Sequence, residues 1–535
     1  MLSSLTLLLA SVAWAEEAPA ARSESVWSGA VQIAAEIDAH AERHWQAKGI
    51  NPAGLVDDAG FLRRVTLDLA GRVPTYQEAI AFTQDASPDK RQQAVRRLLD
   101  GPEYPLHLAN VLDEVIQGRL TGDREFIGYL RRMTADGRPW DAVFRQVLLG
   151  PWETPEDKVA ARFLQRRVNS QDEMTNDAAR AFFGVDISCA KCHDHPLVDD
   201  WKQQHYYGLL SFFSRTHEMN DRPLPLGEKD AAEVTFLDTS GESHAAELMF
   251  LSGQTVDDPG LGLDPRWQDR RLAAEAEKAY LPPAFSPREE LVRVALADER
   301  FFRRAIANRL WAFLLGRGLV HPVEQMHSGN PSSIPGLVEW LGDDLAANGF
   351  NLDRLMAGIA LSRVYQRSSA WPSADEPPAA EHFALAAVRP LTHQQYALSV
   401  TLALADESFA QAANDEERAA RYRSLEDHSY GLVDPLDRRR EGFQSSASEA
   451  LFMSNDPRIQ QLARPEGNNL AARLAAIEDN ASMIEAAFWT TLGRAPEEDE
   501  RASAADYLVR AADRRAACGH LVWALCTSAE FRFNH

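Results

Sequence analysis

The sequence predicts a mainly α-helical protein: two helical domains joined by a Pro- and Gly-rich linker that holds a small β-hairpin. Three observations carry this expectation. Apolar residues recur at helical spacing in both halves, as at Phe61, Leu62, Val65 and Leu69, and again at Leu352, Leu355, Met356 and Ile359. Helix start and stop signals punctuate both halves, with Thr75 and Glu78 or Ser286, Pro287 and Glu289 opening helices and Gly71, Gly316 and Gly349 closing them. Between about residues 220 and 285 the texture turns to Pro, Gly and Asp. With 535 residues the chain exceeds what a single core holds, so a division is expected.

Taken in order, the opening MLSSLTLLLASVAWAEEAPA has an apolar run from Leu5 to Ala13 and a small-x-small site at Ala13, Trp14 and Ala15. It reads as a secretory signal peptide over residues 1–15, with a short retained anchor as the alternative, since no Lys or Arg precedes the run. Residues 30–220 form the first helical domain. Its helices run from Ala30 to Gln46, through Phe61 to Gly71, from the Thr75 box onward, after Ser87 and Pro88, from Val111 to Leu120 and from Phe126 to Met133. The pattern loosens at GPWETPED and resumes at Asp177. Gly184 with β-branched Val185 and Ile187 breaks that helix before Cys189, Pro196 ends a short turn, and Trp201 to Phe213 reads as an aromatic-rich amphipathic helix.

Residues 221–285 form the linker, where EVTFLD and ELMFLS, separated by DTSGESHAA, predict a hairpin or two-stranded sheet. Residues 286–535 form the second helical domain, ending in two helices around a turn at Leu492 to Pro496. Cys518 and Cys526 lie two turns apart on one of these helices, too far to bond each other, and read as buried thiols.

The formal charge of −23 argues against nucleic acid as a partner and favours basic proteins or plain solubility. Beyond the leader no apolar stretch reaches the roughly 20 residues of a membrane span. Nucleophile-elbow, phosphate-loop, His-Glu-x-x-His and dinucleotide signatures are all missing from the sequence. An electron carrier or oxidoreductase subunit therefore fits better than a hydrolase.

The chemistry concentrates in FFGVDISCAKCHDHP, where Cys189, Cys192 and His193 make a Cys-x-x-Cys-His motif. Two thiols one helical turn apart can each form a thioether to a haem vinyl group, and the histidine after the second is carried under the iron. Cys189 and Cys192 are the expected anchors of one covalent haem c, and His193 the proximal ligand. His195 is expected in a supporting role beside the haem or as a capping residue of the loop. Met219 or His217 are the foremost distal candidates, with His205, Met249 and Met174 also open. Trp201, Tyr206, Tyr207, Phe212 and Phe213 are candidate wall residues. Two alternatives remain: a haem-dependent oxidoreductase with an open iron face, and a non-catalytic scaffold whose Cys and His residues hold a structural metal. Arg309, Trp311, Arg317, Asn330 and Arg363 read as ties between helices.

Several phrases carry a resemblance: FLRRVTLDLAGRVPT, FFGVDISCAKCHDHPLVDDWKQQHYYGLLSFF, FFRRAIANRLWAFLLGRGLVHPVEQM, LMAGIALSRVYQRSS and RPLTHQQ. They resemble the paired domains of unknown function 1549 and 1553 of exported, planctomycete-type proteins, over nearly the whole mature chain. The resemblance implies an exported, haem-associated protein with its motif in the first domain, and this chain departs from many such proteins in lacking their additional N-terminal cytochrome module. The expectation is a periplasmic or peripherally membrane-associated electron carrier, meeting a redox partner protein that is basic.

Overall fold

The computed structural model describes residues 24–118, 123–150, 157–218, 226–259, 283–405, 409–436 and 457–535. The leader expected at residues 1–15 lies outside them, as does Met219. Helices dominate, and the strands that form among the described residues pair only in two-stranded antiparallel sheets.

The helix boundaries follow from local chemistry. Thr75 and Glu78 close a reciprocal capping box on Tyr76–Gln84, satisfying two amide donors that the first turn leaves unbonded. Ser286 accepts from the Glu289 amide at the start of Pro287–Ala297, and Thr392 with Gln395 makes a second full box on His393–Leu404. Each such cap stabilises its helix by about 1 kcal/mol.

One large apolar cluster runs from Trp27 to Ala384 and so draws on both halves of the sequence. The long helix Glu24–Lys48 lies along Leu352–Leu361, the most extensive helix pairing among the described residues. Gly358 makes this possible, because a Cβ there would fall 2.5 Å from the Ile33 side chain. A second cluster gathers the helices between residues 391 and 531 and also takes in Leu67 and Val73. Buried polar ties connect the halves as well: Asp68, with no exposure, receives hydrogen bonds from Tyr365, Arg389 and Asn534.

Two expectations need correction. EVTFLD does not pair with ELMFLS; Thr235–Leu237 pairs with Ser243–Ala245, inside the intervening segment, and Leu248–Met249 pairs with Thr255–Val256. The reason is that Asp238 folds the chain back at once, its Oδ1 accepting from the amides of Ser240 and Glu242. The tail also holds more than two helices, namely Asn480–Thr491, Glu498–Arg510, Arg514–Thr527 and Ala529–Arg532, because Asp513 and Ser528 each cap a fresh start. Cys518 and Cys526 are buried, unpaired thiols on Arg514–Thr527, as expected, and burial pushes Cys526 up to about 12.

Candidate functional site

The Cys-x-x-Cys-His turn begins where the helix Gln171–Phe183 stops. Gly184 takes the left-handed conformation with φ of 65° and donates its amide to Ala179. A side chain there would be strained by φ and crowded by the Val323 carbonyl at 3.2 Å. The next residues pair with a segment of the second half: Val185 bridges Gln325, the Asp186 amide donates to Glu324 at 2.7 Å, and the Met326 amide donates to Gly184 at 3.1 Å.

Asp186 then starts the turn itself, accepting from the Ser188 amide and hydroxyl and from Arg180. Burial opposes its charge, but these hydrogen bonds and the Arg180 cation hold its carboxyl below the usual range. Ser188–Lys191 forms a single 3-10 turn with Ala190 fully buried as its plug. Lys191 pairs with Asp172 at 2.5 Å, and Asp172 also accepts from Tyr206. Burial opposes the Asp172 charge too, and the bonds from Lys191 and Tyr206 outweigh it, holding the carboxyl below the usual range.

On this clamped turn Cys189 and Cys192 are unpaired and exposed. His193 is exposed as well, and its Nδ1–H donates to the carbonyl of Asp194 at 2.7 Å. That bond leaves Nε2 as the ring's electron-pair donor, the arrangement that metal-binding histidines use. The following loop closes on itself through His195, whose amide donates to Trp201 at 2.8 Å and whose Nδ1 accepts from the Leu197 amide at 3.2 Å. His195 thus caps its own loop. Asp200 docks this loop on the second half by accepting from the amide and hydroxyl of Ser328.

The helix Gln203–Phe213 packs behind the turn. Gln203 and Tyr207, four apart and on one face, both reach the Thr235–Leu237 hairpin. The Gln203 amide donates to Lys191 at 3.3 Å and to Leu237 at 3.2 Å. Tyr207 stacks on Phe236, with ring centroids 4.6 Å apart and planes 3° from parallel. Phe236 faces His244 across the hairpin. Neither Phe236 nor His244 was singled out from sequence; the signal was the alternation in EVTFLD, which places Phe236 and its cross-strand partner on one face.

The remaining expected residues are spread out. His205 lies two positions from Tyr207, about 200° around the helix, and its Nδ1 accepts from the Lys202 amide. His217 is half-buried on Thr216–Glu218. Met174 is fully buried, and Met249 sits against Gly208. Tyr206, Phe212 and Phe213 are core residues without exposure, and Trp201 is 2 % exposed. Arg309 bonds the Arg180 carbonyl, Asn330 donates to Gln325 and Arg363 pairs with Glu42, so all three tie segments together as expected.

Two surface features stand out beside the motif. Leu197 is 89 % exposed and Leu237 63 % exposed, and both flank the motif turn. Among the described residues, the one set of three His, Cys, Asp or Glu ligand atoms within 4.8 Å of one another is Asp238, Glu242 and His244. The donor atoms of Cys189, Cys192, His193 and His195 do not close into such a group.

Residues 36–218 match the family model described as a protein of unknown function, DUF1549 (PSCyt2). Residues 287–508 match that of DUF1553 (PSD1), also described as a protein of unknown function. No curated protein and no solved structure matches the chain.

Proposed function

We propose that this chain, which joins the domains DUF1549 and DUF1553 in tandem, is an exported c-type haem protein that carries electrons in the periplasm. The observation that carries the reading is the state of the motif: two exposed, unpaired thiols and an outward-facing histidine on a turn clamped from behind. The fit of the residues to the group supports it further. A covalent macrocycle needs reachable thiols, an imidazole with one nitrogen already bonded, and an apolar surface to lie on. Cys189 and Cys192 supply the first, His193 the second, and exposed Leu197 and Leu237 with the Tyr207 and Phe236 rings the third.

Bound haem would supply one-electron redox chemistry between a donor and an acceptor protein outside this chain. The chain's own part is to hold and insulate. Cys189 and Cys192 would anchor the group and His193 would hold the iron through Nε2, while Gln203 locks the hairpin to the turn. The acidic surface suits a basic partner protein. No helix among the described residues is long and apolar enough to cross a membrane.

The test is a pyridine haemochrome assay after acid-acetone extraction, on full-length protein co-expressed with a cytochrome c maturation system. Retained haem with a sharp reduced α-band supports the reading, and colourless protein overturns it. A structural Cys and His metal site would have to gather donors that are dispersed here.

A further inference from the structure

Building on the haem reading, we propose that His244 on the hairpin is the second axial ligand of the iron. Three placements argue for it. First, the hairpin and the motif turn are one side chain apart, since the same Gln203 amide nitrogen bonds the carbonyl of Lys191, between the two cysteines, and that of Leu237. Second, the hairpin turns one face toward the motif side. Phe236 and His244 are cross-strand partners on that face, and Phe236 stacks on Tyr207, which lies four residues along the same helix face from the Gln203 that bonds Lys191.

Third, His244 is prepared as a ligand. Its Nε2 bonds the Asp238 carboxylate at 2.9 Å, and Asp238 is itself fixed by Ser240 and the Glu242 amide. A carboxylate on one ring nitrogen fixes the tautomer and leaves the other nitrogen as the donor, the outer-shell partnership common to metal-binding histidines. The His244 side chain is 40 % exposed, so it is open to a ligand, whereas Met174 is sealed in the core. His205 sits on the opposite side of its helix from Tyr207, and its Nδ1 accepts from the Lys202 amide, which puts the proton on Nε2 and leaves no free electron pair for a metal.

The experiment uses the full chain matured with haem, as wild type, His244→Ala and His244→Met, with His217→Ala as the comparison. Haemochrome first establishes equal covalent haem in each, and circular dichroism establishes equal helix content. Visible and electron paramagnetic resonance spectra then read the coordination. The expected result is a low-spin wild type, loss of the low-spin signal in His244→Ala, restored low-spin coordination with a raised reduction potential in His244→Met, and no change in His217→Ala. A folded, haem-bearing His244→Ala with the wild-type spectrum overturns the assignment while leaving the haem reading intact. Haem-free wild type overturns both.

Discussion

The phenol of Tyr365 donates to the carboxylate of Asp68 at 2.7 Å, although 297 positions separate them. Around this pair Arg389 and Asn534 also bond Asp68, so four distant stretches of sequence meet at one buried charge. Burial pushes the Asp68 carboxyl up, and Arg389 with Tyr365 opposes it. Removing the anion takes the ion-pair partner from the half-buried Arg389 guanidinium and leaves a hole. Asp68→Ala is expected to cost about 3–5 kcal/mol, read as a lower urea midpoint; a midpoint equal to wild type refutes the linking role.

His107 supplies the acid-sensitive element of the core. It is 7 % exposed, its Nε2 has no partner, and burial pushes its pKa from 6.5 down to about 4. A histidine whose folded value is depressed resists charging, so the unfolded chain binds the proton first. Stability is full above pH 6.5 and falls as the pH drops from 6.5 toward 4. At pH 5 the loss relative to pH 7 is about 2 kcal/mol. Urea titrations of wild type and His107→Gln at both pH values should show a loss larger by about that increment in the wild type, since other histidines with depressed values contribute to both proteins.

Replacing both cysteines tests anchoring directly. Cys189→Ser with Cys192→Ser should leave the fold intact, because neither thiol is buried, while acid-stable haem is lost entirely. His193→Ala should keep the covalent attachment and change the spectrum. Retention of acid-stable haem in the double serine variant contradicts the thioether assignment.

Gly184→Ala probes the stem of the motif. The left-handed φ of 65° and the Val323 carbonyl at 3.2 Å both penalise a Cβ, at an expected cost of about 1–2 kcal/mol from the backbone conformation. Differential scanning calorimetry should show the lower melting temperature, and haem yield per protein should fall with it.

Gln203→Ala should uncouple the hairpin from the turn. Hydrogen exchange is expected to quicken at residues 235–245 and at the motif, and to stay unchanged in the helices around Asp68. Uniform exchange across both variants argues that the hairpin is held by other contacts, such as the Tyr207 and Phe236 stack.

By itself, the sequence determined what depends on neighbours along the chain. Helix caps such as Thr75 and Glu78, the left-handed stop at Gly184 and the spacing of Cys189, Cys192 and His193 are local, set by hydrogen bonds and sterics within a few residues. The caps and the stop at Gly184 carried over to the structure. Strand pairing did not, because the competing turn at Asp238 shifts the register and two short alternating runs admit more than one partner. The tertiary structure alone decided which chemistry sits together. His205, near the motif in sequence, lies on the far side of its helix from Tyr207, while His244, some fifty positions on, returns to the Tyr207 side through Phe236. The shared core between the halves, from Trp27 to Ala384, was likewise invisible in periodicity. Periodicity tells which face of a helix is buried, and only packing in three dimensions tells against what.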